Sequence, residues 1–234
     1  MKKLVTLLAA IITLTSCSSD DDNNADKGNN KSLSSITLSN GDGTGQPEVL
    51  TVIYDDNGNI KAFAADDDIL YAYKYDTNNN LISISRGLSS DAEYTFQYTN
   101  GRLSGYTDES GTTTAIGYNE QTKMYTIGDS ARQFSLKGRD IGTVSEAGEN
   151  MYTFNYDDSH KGALYNIKGD NLFVLTMFSE LYQYMSVRPM TSIATGDDSY
   201  TLDNTFDADG YVTKEAINYN GQVQSVLTYQ YTEK

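Results

Sequence analysis

Apolar and polar residues alternate with a period of two along most of the chain after residue 33. In one segment Tyr71, Tyr73 and Tyr75 fall on one face while Ala72 and Lys74 fall on the other. This alternation is typical of half-buried strands in an antiparallel sheet, because the strands of a parallel sheet are continuous apolar runs separated by helices. The same pattern returns in residues 94–99, 152–156 and 227–231.

Short clusters of Asp, Asn and Gly separate the predicted strands. Asn100-Gly101 and Asn220-Gly221 are dipeptides typical of two-residue hairpins, because both residue types tolerate positive φ. Longer Asp- and Asn-rich turns are predicted at 55–59, 76–80 and 207–210. The chain contains only two prolines, so few hydrogen-bond donors are lost from the predicted ladders.

The turns recur as a repeat in which an aromatic residue precedes an Asp/Asn-rich turn and an aliphatic residue follows it. The segment from Tyr54 to Ile60 is answered by the segments 75–81 and 98–103, and more weakly by 118–120. The anchoring tyrosines stand at intervals of 21, 23 and 20 residues, so one repeat has the length of a β-hairpin. We therefore predict a mainly β fold: an antiparallel meander of repeated hairpins that forms a strongly twisted sheet or an open barrel.

One segment breaks the β pattern and predicts an amphipathic helix near 172–185. Polar Thr176, Ser179, Glu180 and Gln183 recur at helical spacing, with an apolar stripe on the opposite side. Asp170 or Asn171 can cap the start of the helix, and Pro189 lies beyond its end. Such a helix either buries an open face of the sheet or forms a lid over it, as in periplasmic lipoprotein carriers. The apolar stripe comprises Val174, Met177, Phe178, Leu181 and Met185.

The Tyr-Asp and Asn-Gly turns resemble YD-type repeats. The closing stretch from Phe206 to Lys214, followed by Tyr229-Gln230-Tyr231, is similar to uncharacterised Bacteroidota lipoproteins built from such repeats. The resemblance covers most of 51–232 and implies a repeated β-hairpin architecture. It implies no reaction and no catalytic residues.

The first residues predict an exported lipoprotein. Lys2 and Lys3 precede an apolar run, residues 4–14, that is too short to span a bilayer. The run ends in Leu-Thr-Ser followed by Cys17, which resembles a bacterial lipobox; we expect cleavage between Ser16 and Cys17 and lipidation of Cys17. Cleavage by an ordinary secretory peptidase is the alternative. The predicted organisation is a signal peptide (1–16), a lipidated cysteine and disordered acidic tether (17–32), and a single β-meander domain (33–234).

The tether and the charge bear on location and partners. Residues 18–32 are almost wholly polar and would reach roughly 20 Å from the anchor as a flexible chain. Their Ser-Ser-Asp-Asp-Asp start resembles an export signal of surface-exposed lipoproteins in Bacteroidota, although a plain spacer has the same composition. The net charge is −15, or −17 once Lys2 and Lys3 leave with the signal peptide, which disfavours nucleic acid and anionic lipid surfaces as partners. We expect an outer-membrane lipid anchor, with the domain facing either the periplasm or the cell surface.

The residue types in the chain give little support for catalysis or for metal binding. His160 is the only histidine and lies in a predicted hairpin turn, where we expect a solvent-exposed structural role. One histidine and one lipidated cysteine do not provide a zinc site, and no cofactor is expected. The Asp-rich turns at 55–58 and 207–210 have some of the oxygen ligands of a calcium loop but lack the distal bidentate Glu, so turn formation is the favoured interpretation.

The leading hypothesis is a non-enzymatic lipoprotein that binds a glycan, a peptide or a partner protein. The chain has nineteen tyrosines, seven phenylalanines and no tryptophan, and exposed tyrosines could form a stacking platform; cross-strand packing is the simpler explanation. The main alternative is a lipid or lipoprotein carrier with an apolar cavity lined by residues such as Val174, Met177 and Phe178. A weaker alternative is a glycan hydrolase that uses two carboxylates.

Overall fold

The alternating segments form sixteen antiparallel strands that close into a barrel. The computed structural model describes residues 30–66, 68–87, 91–129, 132–169, 171–179 and 181–233. Each strand pairs with its neighbours in sequence, and the first strand pairs with the last. The strands are β1 (Lys31–Asn40), β2 (Glu48–Tyr54), β3 (Ile60–Ala65), β4 (Asp68–Tyr75), β5 (Leu81–Arg86), β6 (Tyr94–Thr99), β7 (Arg102–Asp108), β8 (Thr113–Asn119), β9 (Met124–Ile127), β10 (Gln133–Lys137), β11 (Asp140–Glu146), β12 (Glu149–Tyr156), β13 (Met190–Thr195), β14 (Asp198–Phe206), β15 (Val212–Tyr219) and β16 (Gln222–Glu233).

Closure of the sheet corrects the expectation of a twisted sheet or an open barrel. Strands β1 and β16 pair from Lys31 opposite Glu233 to Asn40 opposite Ser225. This pairing gives hydrogen-bonding partners to the two strands that would otherwise be the edges of the meander. Strand β1 begins at Lys31, and Ser32 is buried, so these two residues belong to the barrel rather than to the predicted tether.

The predicted turns owe their shape to side-chain hydrogen bonds. The Oδ1 atom of Asp55 accepts hydrogen bonds from the backbone N–H groups of Asn57 and Asn59, both at 2.9 Å. Asp76 repeats this arrangement with the N–H groups two and four residues further on. Asn100 and Gly101 adopt φ values of 52° and 76°, as the two-residue hairpin requires.

The tyrosine that precedes each turn links neighbouring repeats. The hydroxyl of Tyr75 donates to the carbonyl oxygen of Ile60 at 2.8 Å. Tyr54 donates in the same way to Leu33, and Tyr98 to Leu81, each at 2.8 Å. These partly buried hydroxyls satisfy backbone carbonyls at one end of the barrel, which explains why the repeat has tyrosine rather than phenylalanine.

On strands β6, β14 and β16 the outward-facing side chains are mainly polar and the buried ones mainly apolar. On β6 the exposed residues are Thr95, Gln97 and Thr99, whereas Phe96 is buried. Strands β14 and β16 show the same division, with Thr201, Asp203, Thr205, Thr228 and Gln230 exposed.

The helix lies inside the barrel, which corrects its predicted length and surroundings. Helix α1 spans Leu172–Phe178, and a short 3₁₀ turn follows at Leu181–Gln183. Two residues of the predicted polar stripe are buried: Thr176 donates to the backbone oxygen of Phe173, and the hydroxyls of Ser179 and Tyr73 are 2.8 Å apart. Gln183 is half-buried, and Glu180 lies outside the described residues. A closed barrel has no open sheet face, and the helix packs on the inner wall instead, with Phe173 against rings of β9 and β10 and Phe178 against rings of β6 and β7.

The helix also begins differently from the prediction. Asn171 occupies the N-cap position without a side-chain capping bond, and its amide donates instead to Asn80 Oδ1 and Gly101 O. The other predicted cap, Asp170, lies outside the described residues. The start of the helix is thus held by contacts with two barrel turns rather than by its own cap.

Candidate functional site

One end of the barrel is closed by the connection between β12 and β13, residues 157–189, which we call the plug segment. The amino group of Lys168 donates to the backbone oxygen of Asn57, and Arg139 donates to the backbone oxygens of Ile167 and Gly169. Buried Leu164 and Ile167 lie beneath this polar layer. The plug segment then carries α1 into the barrel, where Phe173 contacts the rings of Tyr125 and Phe134.

At the opposite end, which we call the mouth, the described residues form a cavity on each side of the plug segment. Each has a volume suitable for a small ligand. The aromatic cavity has a volume of about 500 Å³ and is lined by Tyr94, Tyr106, Ile127, Arg132, Phe134, Val144, Glu146, Met151, Tyr152, Met177, Phe178 and Tyr182. The aliphatic cavity has a volume of about 490 Å³ and is lined by Ile36, Leu38, Glu48, Leu50, Leu70, Tyr71, Ser179, Leu181, Tyr182, Gln183, Tyr184 and Leu227.

Ring-to-ring contacts define the wall of the aromatic cavity. The Phe178 ring lies with its centroid 5.4 Å from that of Tyr94 and 5.1 Å from that of Tyr106, both in edge-to-face geometry. Across the cavity, the centroids of Tyr152 and Tyr182 are 6.0 Å apart. Pairs of this kind prefer edge-to-face packing, so the rings support one another and keep the cavity wall ordered.

The two cavities differ in the charges at their rims. Arg132 and Glu146 form an ion pair at 3.5 Å beside the aromatic cavity. Glu48 is the charged residue that lines the aliphatic cavity, and among the described residues no ion pair to it is present. Glu48 pairs directly with Leu38 on β1, so its side chain lies on the same inward face as that leucine.

The residues named for a carrier cavity are only partly assembled in the mouth. Met177 and Phe178 line the aromatic cavity. Val174 is fully buried among the barrel strands and lines neither mouth cavity. The aliphatic lining contributed by β1, β2 and β16 gave no distinct signal in the sequence, because these leucines resemble ordinary core positions of strands.

The tyrosines do not form an outward-facing platform. All but Tyr165 are buried or half-buried, and Tyr165 is 38% exposed. Four of them, Tyr94, Tyr106, Tyr152 and Tyr182, contribute to the wall of the aromatic cavity.

The Asp-rich turns use their carboxylates for contacts within the chain. The amino group of Lys31 lies 2.7 Å from Asp207 and 2.6 Å from Asp209, and hydrogen bonding to Asp207 and then Asp209 raises the pKa of the lysine. A cation of the chain itself thus occupies the 207–210 turn. Within the described residues no group of three or more His, Cys, Asp or Glu side chains is arranged to hold a metal ion.

His160 lies at the start of the plug segment, not in a hairpin, and it is half-buried. Its ring stacks on Phe206 with a centroid distance of 3.8 Å. Asp157 and Ser159 both contact the same ring atom, Nδ1, at 2.7 and 3.0 Å. A catalytic triad needs the acid and the nucleophile on opposite ring nitrogens, so this arrangement does not provide a proton relay.

A buried carboxyl group, Glu215, lies deep in the barrel and was not identified from the sequence. It is 2% exposed, and its Oε2 atom is 2.5 Å from the hydroxyl of Tyr229. The same hydroxyl lies 2.8 Å from the backbone oxygen of Tyr184 in the plug segment. Burial raises the pKa of Glu215 to about 7, so the carboxyl is poised to carry a proton near neutral pH.

The predictions for the N-terminal segment concern residues outside the structure. Ser16, Cys17 and residues 18–29 lie outside the described residues, so cleavage and lipidation stay predictions. Among the residues described, no helix is long and apolar enough to cross a membrane.

Comparisons with known proteins yield similarity in structure but none in sequence families. No family model and no curated protein matches the chain. A porin-like protein from Bacteroides uniformis ATCC 8492 has a similar structure, with a TM-score of 0.48 and 14% sequence identity. The match covers 86% of this chain and 98% of that one.

Proposed function

We propose that this chain is a lipid-anchored, extracytoplasmic, non-enzymatic protein that binds a small apolar ligand in the mouth of its barrel. The observation that carries the proposal is a pair of cavities of about 500 and 490 Å³ that open at the mouth beside the plug segment. A pocket of about 470 Å³ at the closed end is lined mainly by polar turn residues such as Asp55, Asn59 and Asp76. Ligand sites commonly occupy the mouths of β-barrels and have volumes in this range.

The lining residues support binding rather than catalysis. Among the described residues, each mouth cavity is lined by a single carboxylate, Glu146 or Glu48, and glycosidases use a pair. Glu146 is moreover held in an ion pair with Arg132. The lining of the aliphatic cavity is mainly apolar, which favours a ligand whose binding removes hydrocarbon surface from water, whereas the aromatic cavity combines ring faces with polar groups.

Titration with the neutral fluorescent probe N-phenyl-1-naphthylamine tests this proposal. The full chain carrying Cys17→Ala, which lacks the lipid attachment point, should give a saturable rise in fluorescence. Leu50→Trp and Met151→Trp each place a large ring in one cavity, and each should weaken binding at that cavity at least about tenfold, equivalent to about 1.4 kcal/mol or more. Thr201→Trp adds the same ring to the outer face of β14 and should leave binding unchanged. A linear, unsaturable signal that none of the substitutions changes would contradict the proposal.

The aromatic cavity supports a second candidate, the capture of a sugar ring or an aromatic peptide side chain. Tyr94, Tyr106, Tyr152 and Tyr182 offer ring faces and hydroxyls within one cavity. A glycan and peptide array with the Cys17→Ala chain tests this candidate. Signals that disappear in Tyr152→Ala but persist in Leu50→Trp would assign binding to the aromatic cavity; an array without signals would reject the candidate.

A further inference from the structure

We propose that the aliphatic cavity takes a single-chain amphiphile with a cationic head group, its chain lying among the inward leucines and its head beside Glu48. This inference rests on the proposed binding function and names the class of ligand. It separates the two mouth cavities, because the aromatic cavity has an ion pair at its rim, whereas Glu48 is the one carboxylate that the described residues contribute to the lining of the aliphatic cavity.

The lining of the aliphatic cavity suits one hydrocarbon chain. Ile36 and Leu227 are each 1% exposed, and Leu38, Leu50 and Leu70 are half-buried closer to the mouth. These five side chains come from β1, β2, β4 and β16, so they cover one continuous side of the interior. An alkyl chain lying along them would bury its methylene groups against aliphatic carbon.

Polar groups near the floor of this cavity already have partners. The Ser179 hydroxyl is 2.8 Å from that of Tyr73, and the Tyr184 carbonyl oxygen is 2.8 Å from the Tyr229 hydroxyl. A ligand therefore does not have to supply hydrogen bonds to these groups, and a hydrocarbon tail can lie beside them without leaving a donor or acceptor unpaired.

The charge at the rim selects the head group. Glu48 is exposed and stands at the first position of β2, where the strand begins at the mouth. The register places it opposite Leu38, on the face that lines the cavity. A head group at the rim would thus meet this carboxylate while the tail meets the leucines.

The field of the whole chain acts in the same direction. The net charge is −15, so an anionic head group is repelled and a cationic one attracted before any contact forms. Fatty acids and anionic lipids are consequently disfavoured, and amines or quaternary ammonium amphiphiles are favoured.

Calorimetric titration of the full chain carrying Cys17→Ala, with ligands kept below their micelle concentrations, tests the inference. The probes share a ten-carbon tail and differ in head group: decyltrimethylammonium, decanol and decanoate. The ammonium should bind tightest and decanoate weakest. Shortening the ammonium tail from ten carbons to eight should weaken binding about fourfold per methylene.

Glu48→Gln should weaken decyltrimethylammonium about fivefold, the scale of an exposed ion pair, and leave decanol unchanged. Glu149→Gln is the matched control, because it removes the same charge at the start of β12, from a residue outside both cavity linings, and should change neither ligand. Leu50→Trp should abolish binding of all three probes.

The outcomes distinguish the two proposals. Binding of decanol without any preference for the ammonium, or an ammonium affinity that Glu48→Gln does not change, overturns the inference and leaves the apolar binding function standing. Tightest binding of decanoate, or binding that survives Leu50→Trp, also overturns the inference. If neither these probes nor N-phenyl-1-naphthylamine bind, both proposals fail.

Discussion

At the scale of single residues, the hydrogen bonds of buried polar groups determine which protonation state is favoured inside the barrel. Tyr229 has one hydroxyl proton but lies within hydrogen-bonding distance of two oxygens, those of Glu215 and Tyr184. If the Glu215 carboxyl is protonated, it donates to Tyr229 and Tyr229 donates to Tyr184, and every group is satisfied. If the carboxyl is ionised, two acceptors compete for one proton in a buried site, which is unfavourable.

The protonated state of Glu215 predicts a specific pH dependence. Burial raises the folded-state pKa from 4.5 to about 7, so the folded protein binds a proton that the unfolded chain releases in this window. The contribution to the unfolding free energy is fully present below about pH 4.5 and is lost as the pH rises to about 7. The loss is on the order of 3 kcal/mol.

Urea denaturation at several pH values, compared with Glu215→Gln, measures this contribution. Glutamine keeps the shape and does not titrate, so the difference in unfolding free energy between the two proteins isolates the effect of the carboxyl. Wild type should lose stability relative to Glu215→Gln between pH 4.5 and 7. A difference that stays constant with pH would show that Glu215 is ionised throughout.

At the scale of elements, the plug segment is held where it returns to the barrel wall. Asp140, at the start of β11, is 5% exposed and accepts hydrogen bonds from the backbone N–H groups of Val187 and Arg188 and from the Arg188 guanidinium. Burial raises the pKa of Asp140, while these hydrogen bonds favour its charged form. Arg188 also contacts Asp158, whose side chain is 72% exposed, and lies over the Tyr156 ring.

The difference in burial predicts that Asp140 and Asp158 contribute unequally to the free energy of unfolding. Asp140→Ala leaves buried donors without an acceptor and should lower the unfolding free energy by about 3 kcal/mol. Asp158→Ala removes an exposed partner of the same arginine and should cost less than about 1 kcal/mol. Equal losses in urea denaturation of the two variants would contradict this account of the plug segment.

At the scale of the whole molecule, the first strand shows at which end the chain enters the barrel. Strand β1 begins at Lys31, and the Lys31 amino group is held by Asp207 and Asp209, so the chain enters the barrel at its closed end. The proposed tether would therefore join the domain at the end opposite the mouth.

Replacement of Cys17 tests this arrangement. Cys17→Ala removes the predicted lipid attachment, and the protein should move from the membrane pellet to the soluble fraction after cell fractionation. Ser18→Ala, next to the cleavage site but without lipid chemistry, should stay with the membrane. A Cys17→Ala protein that still sediments with membranes would show that another part of the chain holds it there.

The sequence alone determined the local features, because each depends on residues close together in the chain. The segments in which polar and apolar residues alternate formed strands, as predicted. Asn100-Gly101 and Asn220-Gly221 formed tight turns at positive φ, also as predicted. The resemblance to YD-type lipoprotein repeats stays a prediction. The repeat of an aromatic residue before each turn correctly predicted a meander, because the interval of about twenty residues between repeats is the length of one β-hairpin.

Only the tertiary structure decided the rest, because it depends on contacts between distant residues. Closure rests on β1 pairing with β16, and no local pattern distinguishes an edge strand from a closing one. That closure placed α1 inside the barrel, so Thr176 and Ser179, polar residues that predicted a solvent-facing stripe, became buried. It also brought Glu48 beside Leu38 at the mouth and enclosed Glu215 with Tyr229, because side chains separated along the chain share one interior.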